Sequence, residues 1–457
     1  MTDAYGTLFR EVLHPAWESG LRRRPTLGLR AELERTQWLA EEELRVLQGR
    51  ALERLYRHAL ANVPYYRRAF QVAGLTASSV RDLDDLAKLP LLSRDAARES
   101  LADRSSRLDP LPVIRKMTSG TTGRPLELAY DSGSEHWRAA TKLRGYGWAH
   151  YQPGDRSLHF WGNVAALHPV AATRRAKVAL DHLLRREHFV DCTDRSAEAL
   201  DRVVRQLAAL RPSALLCYSQ AGAALARHVV DAGTRFDFEL SVICAAERLF
   251  PADRAVLERA FGPRVFETYG SREVMLIASE CDEHRGLHTS MENLVVELLV
   301  REGSSWRPAA PGELGEVVIT DLHNFGAPFI RYVTGDLALA MAPGQCACGR
   351  GLARIAAVEG RVADTLYDGA GRPVSGLLFN VLFSVMADRV REFQVVQRRD
   401  RSIDLLLVPV RELDGETRGR IFGAAAKFLP GVELRVEVVP GVPPDAGGKR
   451  RVVRVET

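Results

Sequence analysis

Met117-Thr118-Ser119-Gly120-Thr121-Thr122-Gly123-Arg124-Pro125 packs hydroxyls and glycines into one short run. Residues 112–116 before it and 126–130 after it each read as a short strand, so the run is the tip of a strand–loop–strand unit. Glycine lets a backbone approach an anion closely, and successive N–H groups with Ser/Thr hydroxyls can wrap phosphate oxygens. The Gly-x-x-x-x-Gly-Lys-[Ser/Thr] spacing that opens a helix in nucleotide loops is absent, and Arg124-Pro125 stands in place of Lys-Ser. A polar hairpin turn is the plain alternative for any such cluster. The rest of the chain has to decide between them.

A chain of 457 residues exceeds what one hydrophobic core usually supports, so two or more domains are expected. Hydrophobic residues make up 46% and charged residues 26%, an ordinary globular balance. The net charge of +5 is spread over arginines interleaved with acids, which argues for a solvated surface and against a nucleic-acid stripe. The first residues show no basic region followed by an apolar run, and no stretch approaches a membrane span. Six scattered cysteines do not make a disulfide framework, and a cytoplasmic protein is the expectation.

Leucines at helical spacing predict helix over residues 31–73, interrupted near Pro64, and Ser93 is a candidate helix cap. Helix is expected again over 135–148. From 158 onward strands (158–163, 214–218, 240–244, 264–267) alternate with helices (196–210, 220–232, 252–261). That alternation argues for an α/β fold with parallel sheet layers. From Leu294 the pattern turns to strands (294–300, 315–320, 330–333). After Asp364 a smaller α+β module follows, with helices at 377–387 and 416–428 and strands at 393–397, 403–408 and 433–438. The expected division is a large domain over 1–361 and a small one over 362–457.

Four further groups of residues carry chemistry. Tyr269-Gly270-Ser271-Arg272-Glu273 follows a strand, where open α/β sheets bind ligands; a ring there can stack on a purine and a carboxylate can hold Mg²⁺. Asp336, after Thr334-Gly335, can accept hydrogen bonds from two ribose hydroxyls. Cys346-x-Cys348 offers two thiolates to Zn²⁺; Cys281 supplies a third, and His284 or His288 a fourth ligand. A closed set of that kind is structural, with free thiols as the alternative. Cys192, Cys217 and Cys244 lie on apolar stretches and read as packing residues. Lys449 sits in a glycine-flanked loop near the terminus, where a basic run is usually a solvated face.

Taken in order, these motifs resemble the adenylate-forming acyl/aryl ligases, in the branch of phenylacetate–coenzyme A ligases and CapK-like proteins. The resemblance covers nearly the whole chain. It implies the adenylate-forming fold, with a large N-terminal domain and a small mobile C-terminal one. It also implies that Thr118, Ser119, Gly120, Thr121, Thr122 and Gly123 form the ATP phosphate loop, with Thr118 among the catalytic residues. Ala245-Ala246-Glu247 resembles the family's segment beside the adenine, Tyr269 with Gly270 and Ser271 lies against the base, and Glu273 binds Mg²⁺. Asp336 takes the ribose. Glu359-Gly360-Arg361-Val362-Ala363-Asp364 resembles the hinge, with Arg361 near the nucleotide and Asp364 as the pivot. Lys449 resembles the lysine that stabilises charge during adenylation. Some members of the branch carry a similar Cys…His…Cys-x-Cys set, whose pattern His288 matches better than His284.

The implied activity is activation of a carboxylic acid by ATP, followed by transfer to coenzyme A. Transfer to an amine, a hydroxyl or a carrier protein is the alternative, and a silent nucleotide-binding homologue the third reading. Trp137, Tyr146, Phe160, Trp161, Tyr218 and Ser219 are candidate walls for an aryl acid. A second copy of the chain is a candidate partner.

Overall fold

The computed structural model describes residues 3–108, 113–117, 126–162, 172–303, 305–361, 365–371, 373–375, 379, 382–383, 386, 389–442 and 452–456. The chain begins in helices. α1 (Ala4–Leu8) is followed by α2 (Thr26–Thr36), α3 (Glu41–Asn62) and α4 (Pro64–Val72). The expected break at Pro64 is a restart: proline occupies the first turn of α4, where its missing N–H is no loss. Leu52, Leu55 and Tyr56 of α3 pack with Tyr66 and Phe70 of α4 against Leu322 and Ile330, so the helices are held by the sheet beneath them. Ser93 caps α5 (Arg94–Glu99), its hydroxyl accepting from the Ala96 N–H at 3.1 Å. A short α6 (Leu101–Arg104) follows.

β1 (Val113–Met117) and β2 (Glu127–Asp131) pair antiparallel, with Met117 opposite Glu127. The hairpin expected around the hydroxyl-rich run therefore has its two arms, and residues 118–125 lie outside the described residues. Asp131 ends β2 and caps α7 (Ser132–Trp148): one carboxylate oxygen accepts from the Ser134 N–H at 2.9 Å, the other from Phe325 and Gly326 at 2.7 and 2.9 Å.

The expected alternation then appears, with one unit the sequence reading did not mark. The elements are β3 (Ser157–Trp161), α8 (Ala172–Arg185), β4 (Glu187–Asp191), α9 (Ala197–Leu210), β5 (Ala214–Tyr218), α10 (Ser219–Asp231), β6 (Ser241–Ala245), α11 (Pro251–Phe261) and β7 (Val265–Ser271). α8 and β4 are the unmarked pair. The antiparallel half follows as β8 (Met275–Ser279), β9 (Leu287–Thr289), β10 (Leu294–Glu302), β11 (Ser305–Pro308), β12 (Leu314–Asp321), β13 (Tyr332–Ala340) and β14 (Arg354–Arg361). Together they form one twelve-stranded mixed sheet, ordered β11-β10-β12-β13-β14-β9-β8-β7-β6-β5-β3-β4.

β7 joins the two halves. It runs parallel to β6 as far as Glu267 and pairs antiparallel with β8 from Thr268 onward. The Tyr269-Gly270-Ser271 triplet, expected just past a strand, is thus the last part of a longer one. It still lies at the carboxyl end of the parallel half.

The last hundred residues build a smaller sheet. A hairpin of β15 (Thr365–Tyr367) and β16 (Pro373–Ser375) precedes β17 (Val390–Gln397), β18 (Ile403–Pro409), α12 (Gly415–Phe428), β19 (Leu434–Val438) and β20 (Val453–Val455). The order is β19-β18-β17-β20, and Val395, Leu405, Leu407 and Ile421 give it a core of its own. The helix expected at 377–387 falls mostly outside the described residues. Among the described residues, no helix is long and apolar enough to cross a membrane.

Candidate active site

Three strand ends and one turn converge where the parallel half of the sheet stops. Tyr269 and Asp336, 67 residues apart in sequence, meet there: the phenol donates to a carboxylate oxygen of Asp336 at 2.8 Å. β13 holds Asp336 in place through Thr334, whose hydroxyl accepts from the Asp336 N–H at 3.0 Å and donates to the Val317 carbonyl at 2.9 Å. Arg361 lies opposite Asp336 in the β13–β14 register.

Gly270 permits the sharp return from β7 to β8. A Cβ at that position would stand 2.4 Å from the Met275 carbonyl oxygen, so no other residue fits without moving the strand. The turn brings Glu273 back into the site, 7% exposed. The Tyr332 hydroxyl is 3.5 Å from its carboxylate and the Arg94 guanidinium 3.7 Å. Those are loose contacts. Burial and the nearby Glu273 charge raise the Tyr332 phenol above its ordinary range, so it stays protonated. The Ser271 hydroxyl is buried with no hydrogen-bond partner among the described residues. A buried orphan hydroxyl beside two carboxylates is a set suited to an incoming polar ligand.

Arg331, five residues before Asp336, does a different job. It has a left-handed backbone (φ 48°), and its guanidinium forks onto Glu297 at 2.9 and 3.1 Å. A further nitrogen donates to the Ala87 and Leu89 carbonyls at 3.1 and 2.8 Å. It anchors the segment before α5 to the sheet and so positions Arg94.

Ala246 also takes a left-handed conformation (φ 67°), which aims Glu247 at the start of α10. There the Glu247 carboxylate accepts from the Gln220 N–H at 3.0 Å, and its carbonyl from the Ser219 hydroxyl at 2.8 Å. Glu247 thus serves as a cap, and the hydroxyl of Ser219 is engaged with it. Deeper along β7, Glu267 is pushed up to about 7 by burial and by the charge of Glu280. Glu280 in turn accepts at both carboxylate oxygens from one terminal nitrogen of Arg254, at 2.7 and 2.8 Å.

The residues named for the acid are divided by strand alternation. Phe160 faces the fully packed core with Leu158, Leu215 and Cys217, on the side of the sheet covered by α9 and α10, and is a packing residue. Tyr146 of α7 packs on the opposite face, against Tyr151 and Leu216. Trp161 meets Tyr218 edge-to-face at 4.5 Å, at the ends of their strands. Trp137 stacks flat on His323 at 3.8 Å. Sequence reasoning missed Arg94. The only sign of it was its place beside the cap Ser93.

At another corner of the sheet, Cys281, His288, Cys346 and Cys348 bring their ligand atoms within 4.8 Å of one another. The Cys281 and Cys346 sulfurs are 3.9 Å apart, and the Cys348 sulfur is 3.4 Å from His288 Nε2. The other ring nitrogen of His288 lies 3.1 Å from the Leu352 carbonyl, which fixes the tautomer that turns the Nε2 lone pair to the thiols. Burial pulls the His288 pKa down to about 4, so the ring is neutral, and pushes the Cys281 thiol up to about 12 with help from its two neighbours. The choice left open in the sequence falls on His288. His284 instead lies against Glu280 at 3.3 Å and Phe266 at 4.9 Å. Cys192, Cys217 and Cys244 are buried packing residues, as expected. Lys449, Asp364 and residues 118–123 lie outside the described residues, as do the side-chain surroundings of Arg361.

No protein-family model matches the chain. It is 26% identical over 380 residues to a phenylacetate–coenzyme A ligase of Thermus thermophilus, spanning 80% of this chain and 81% of that one. It is 28% identical over 338 residues to the Escherichia coli protein of the same name, spanning 71% and 72%. Among solved structures it is similar to 2-hydroxyisobutyryl-CoA ligase in the postadenylation state, with a TM-score of 0.71 at 20% identity, covering 92% of this chain and 91% of that one. The chain is thus similar in sequence to phenylacetate–coenzyme A ligases and in fold to a coenzyme A ligase of known structure.

Proposed function

We propose that this protein is an AMP-forming acid–thiol ligase. A carboxylate oxygen of the substrate attacks the α-phosphorus of ATP, releasing pyrophosphate and leaving an acyl-AMP. The thiol of coenzyme A then attacks the acyl carbonyl, and AMP departs. The observation that carries this reading is the meeting of Tyr269, Asp336 and Glu273 at the end of the parallel strands, facing the hairpin that carries the hydroxyl-rich run.

In this reading Asp336 accepts from the ribose hydroxyls, Tyr269 presents its ring to the base, and the Ser271 hydroxyl finds its partner in the nucleotide. Glu273 would hold Mg²⁺, which when bound neutralises phosphate charge. Glu273 is buried with only loose protein contacts, which suits a carboxylate awaiting a cation. Thr118 to Gly123 would surround the phosphates with N–H and hydroxyl donors, and Lys449 would neutralise charge at the reacting carboxylate. The division into residues 1–361 and 362–457, with Asp364 as pivot, would let the smaller sheet bring Lys449 in for the first half-reaction and withdraw it for the second. Cys281, His288, Cys346 and Cys348 would hold a structural zinc: three thiolates and one imidazole within bonding range of a common centre, with no position left for substrate.

The test is pyrophosphate release from ATP with a panel of carboxylic acids, with and without coenzyme A. Acid-dependent release together with thioester formation is the expected outcome. Release with no thioester would reassign the acceptor, and no release with any acid would end the ligase reading.

A further inference from the structure

One stripe of α7 runs down from the phosphate hairpin between that hairpin and the face of β3 and β5. Glu135 begins it, with Lys116 of β1 at 3.9 Å. Lys142 follows two turns later, about 10 Å farther along the axis, and Tyr146 ends it against Leu216 and Tyr151. On the facing strand, Ser157, His159 and Trp161 share one side by the two-residue repeat. Trp161 stands at the open end with Tyr218, and His159 lies one step deeper, stacked on Phe189 at 4.3 Å.

Lys142 is half-buried between these walls, yet it makes no hydrogen bond and no ion pair with a described residue; its nearest recorded contact is the Tyr146 ring at 6.0 Å. Glu187 and Glu135 influence it only from beyond ion-pair range, and the cations Arg185 and Lys116 oppose them. His159 supplies no anion in either protonation state; burial and the Lys142 charge hold its pKa at about 3, so it is a neutral ring with its Nε2 3.0 Å from the Ser157 hydroxyl. Of the undescribed stretches that border the hairpin and β3, residues 118–125 and 163–171 contain no Asp or Glu, and residues 109–112, before β1, contain one acid, Asp109. Other buried cations have partners: Arg138 is paired with Asp321 at 2.7 Å, Arg144 with Glu292 at 2.6 Å, and Arg104 donates to the Pro328 and Ala97 carbonyls at 3.1 and 3.0 Å. An ammonium taken out of water without an anion is costly. A ligand that brings the anion removes the cost.

We propose that Lys142 is a specificity residue for the far end of the substrate, and that the acid this protein activates carries a second anionic group. Strand geometry sets the span. From Trp161 to the level of His159 is two residues, about 7 Å, the reach of one aromatic ring or a short alkyl chain. One carboxylate of such a molecule becomes the acyl phosphate with loss of pyrophosphate; the other stays ionised against Lys142, with the Tyr146 hydroxyl and His159 beside it. The inference rests on the ligase reading above.

The experiment compares kcat/KM for pyrophosphate release on matched pairs, phenylacetate against 4-carboxyphenylacetate and hexanoate against adipate, in the wild type, Lys142→Met and Lys142→Arg. The wild type should favour the doubly charged member of a pair by roughly 10–100-fold, the usual worth of a charged hydrogen bond, mainly through KM. Lys142→Met should bring that ratio to one or below, and Lys142→Arg should keep part of it. The wild-type ratio tests the idea even if Lys142→Met does not fold. Release with the singly charged acids at equal or better efficiency overturns the inference and leaves the ligase reading standing. No release with any acid overturns both, and thioester without a preference in either variant assigns Lys142 to structure.

Discussion

The nucleotide edge and the cysteine corner are both assembled from residues far apart in sequence, but they are finished to different degrees. At the corner, four ligand atoms converge within 4.8 Å, and the backbone of Leu352 sets the orientation of the imidazole. At the edge, Glu273 meets its neighbours only at 3.5 and 3.7 Å and Ser271 keeps a buried hydroxyl without a described partner. The corner has the donor set of a closed metal site. The edge leaves polar capacity for something that comes and goes. A substitution in the first should therefore appear as lost stability, and in the second as lost binding or turnover.

The largest effect expected lies on the turnover side. Lys449→Ala should slow acyl-AMP formation by about 10²–10³, while conversion of synthetic acyl-AMP to thioester stays within a few-fold. Equal slowing of both half-reactions would remove the lysine from its proposed role. Cys346→Ser should weaken zinc binding by at least about 100-fold and lower the melting temperature by several degrees, with ATP affinity unchanged. Elemental analysis and a thermal scan decide it, and metal-free wild-type protein of full stability would dissolve the contrast.

Asp336→Ala is the counterpart at the edge. ATP binding measured by calorimetry should weaken by about 1.5–3 kcal/mol, with the melting temperature of the ligand-free protein unmoved. The smallest effect concerns Glu267, whose carboxyl titrates near 7 when folded and near 4.5 when unfolded. Between those values the folded state holds the extra proton. Stability from this group is therefore fully present below about 4.5 and lost as pH rises through about 7. Glu267→Gln should flatten that part of the stability–pH curve by about 1–2 kcal/mol in urea titrations at pH 5 and pH 8.

Much of the site could be read in the sequence because its residues come in short runs with fixed roles. The Tyr269–Glu273 pentapeptide and the Thr334–Asp336 turn each carry their own geometry. What could not be read depends on partners brought together by the sheet. Nothing near Arg94 or Lys142 in sequence signals Glu273 or the β3 face. The anchoring role of Arg331 is equally invisible, because Glu297 and the Ala87 and Leu89 carbonyls lie elsewhere in the chain. Phe160 and Trp161 are neighbours in sequence but point to opposite faces, a distinction the two-residue strand period could have drawn. α8 and β4 went unmarked although apolar residues recur along α8 at helical spacing; of these, Leu180, Leu183 and Leu184 stand exposed.

Arg331 also ties the site to the order in which the chain is made. Its bond to the Leu89 carbonyl closes a loop of 242 residues, and at the same place the Leu92 N–H donates to the Arg331 carbonyl while the Leu92 carbonyl accepts from the Val333 N–H. At about 5–20 residues per second on the ribosome, the segment that carries Arg94 waits roughly 12–50 s for the strand that fixes it. Throughout that interval the apolar faces of α3 and α4 have no sheet to cover them. Emergence of the antiparallel half is thus the moment at which the first ninety residues can bury those faces.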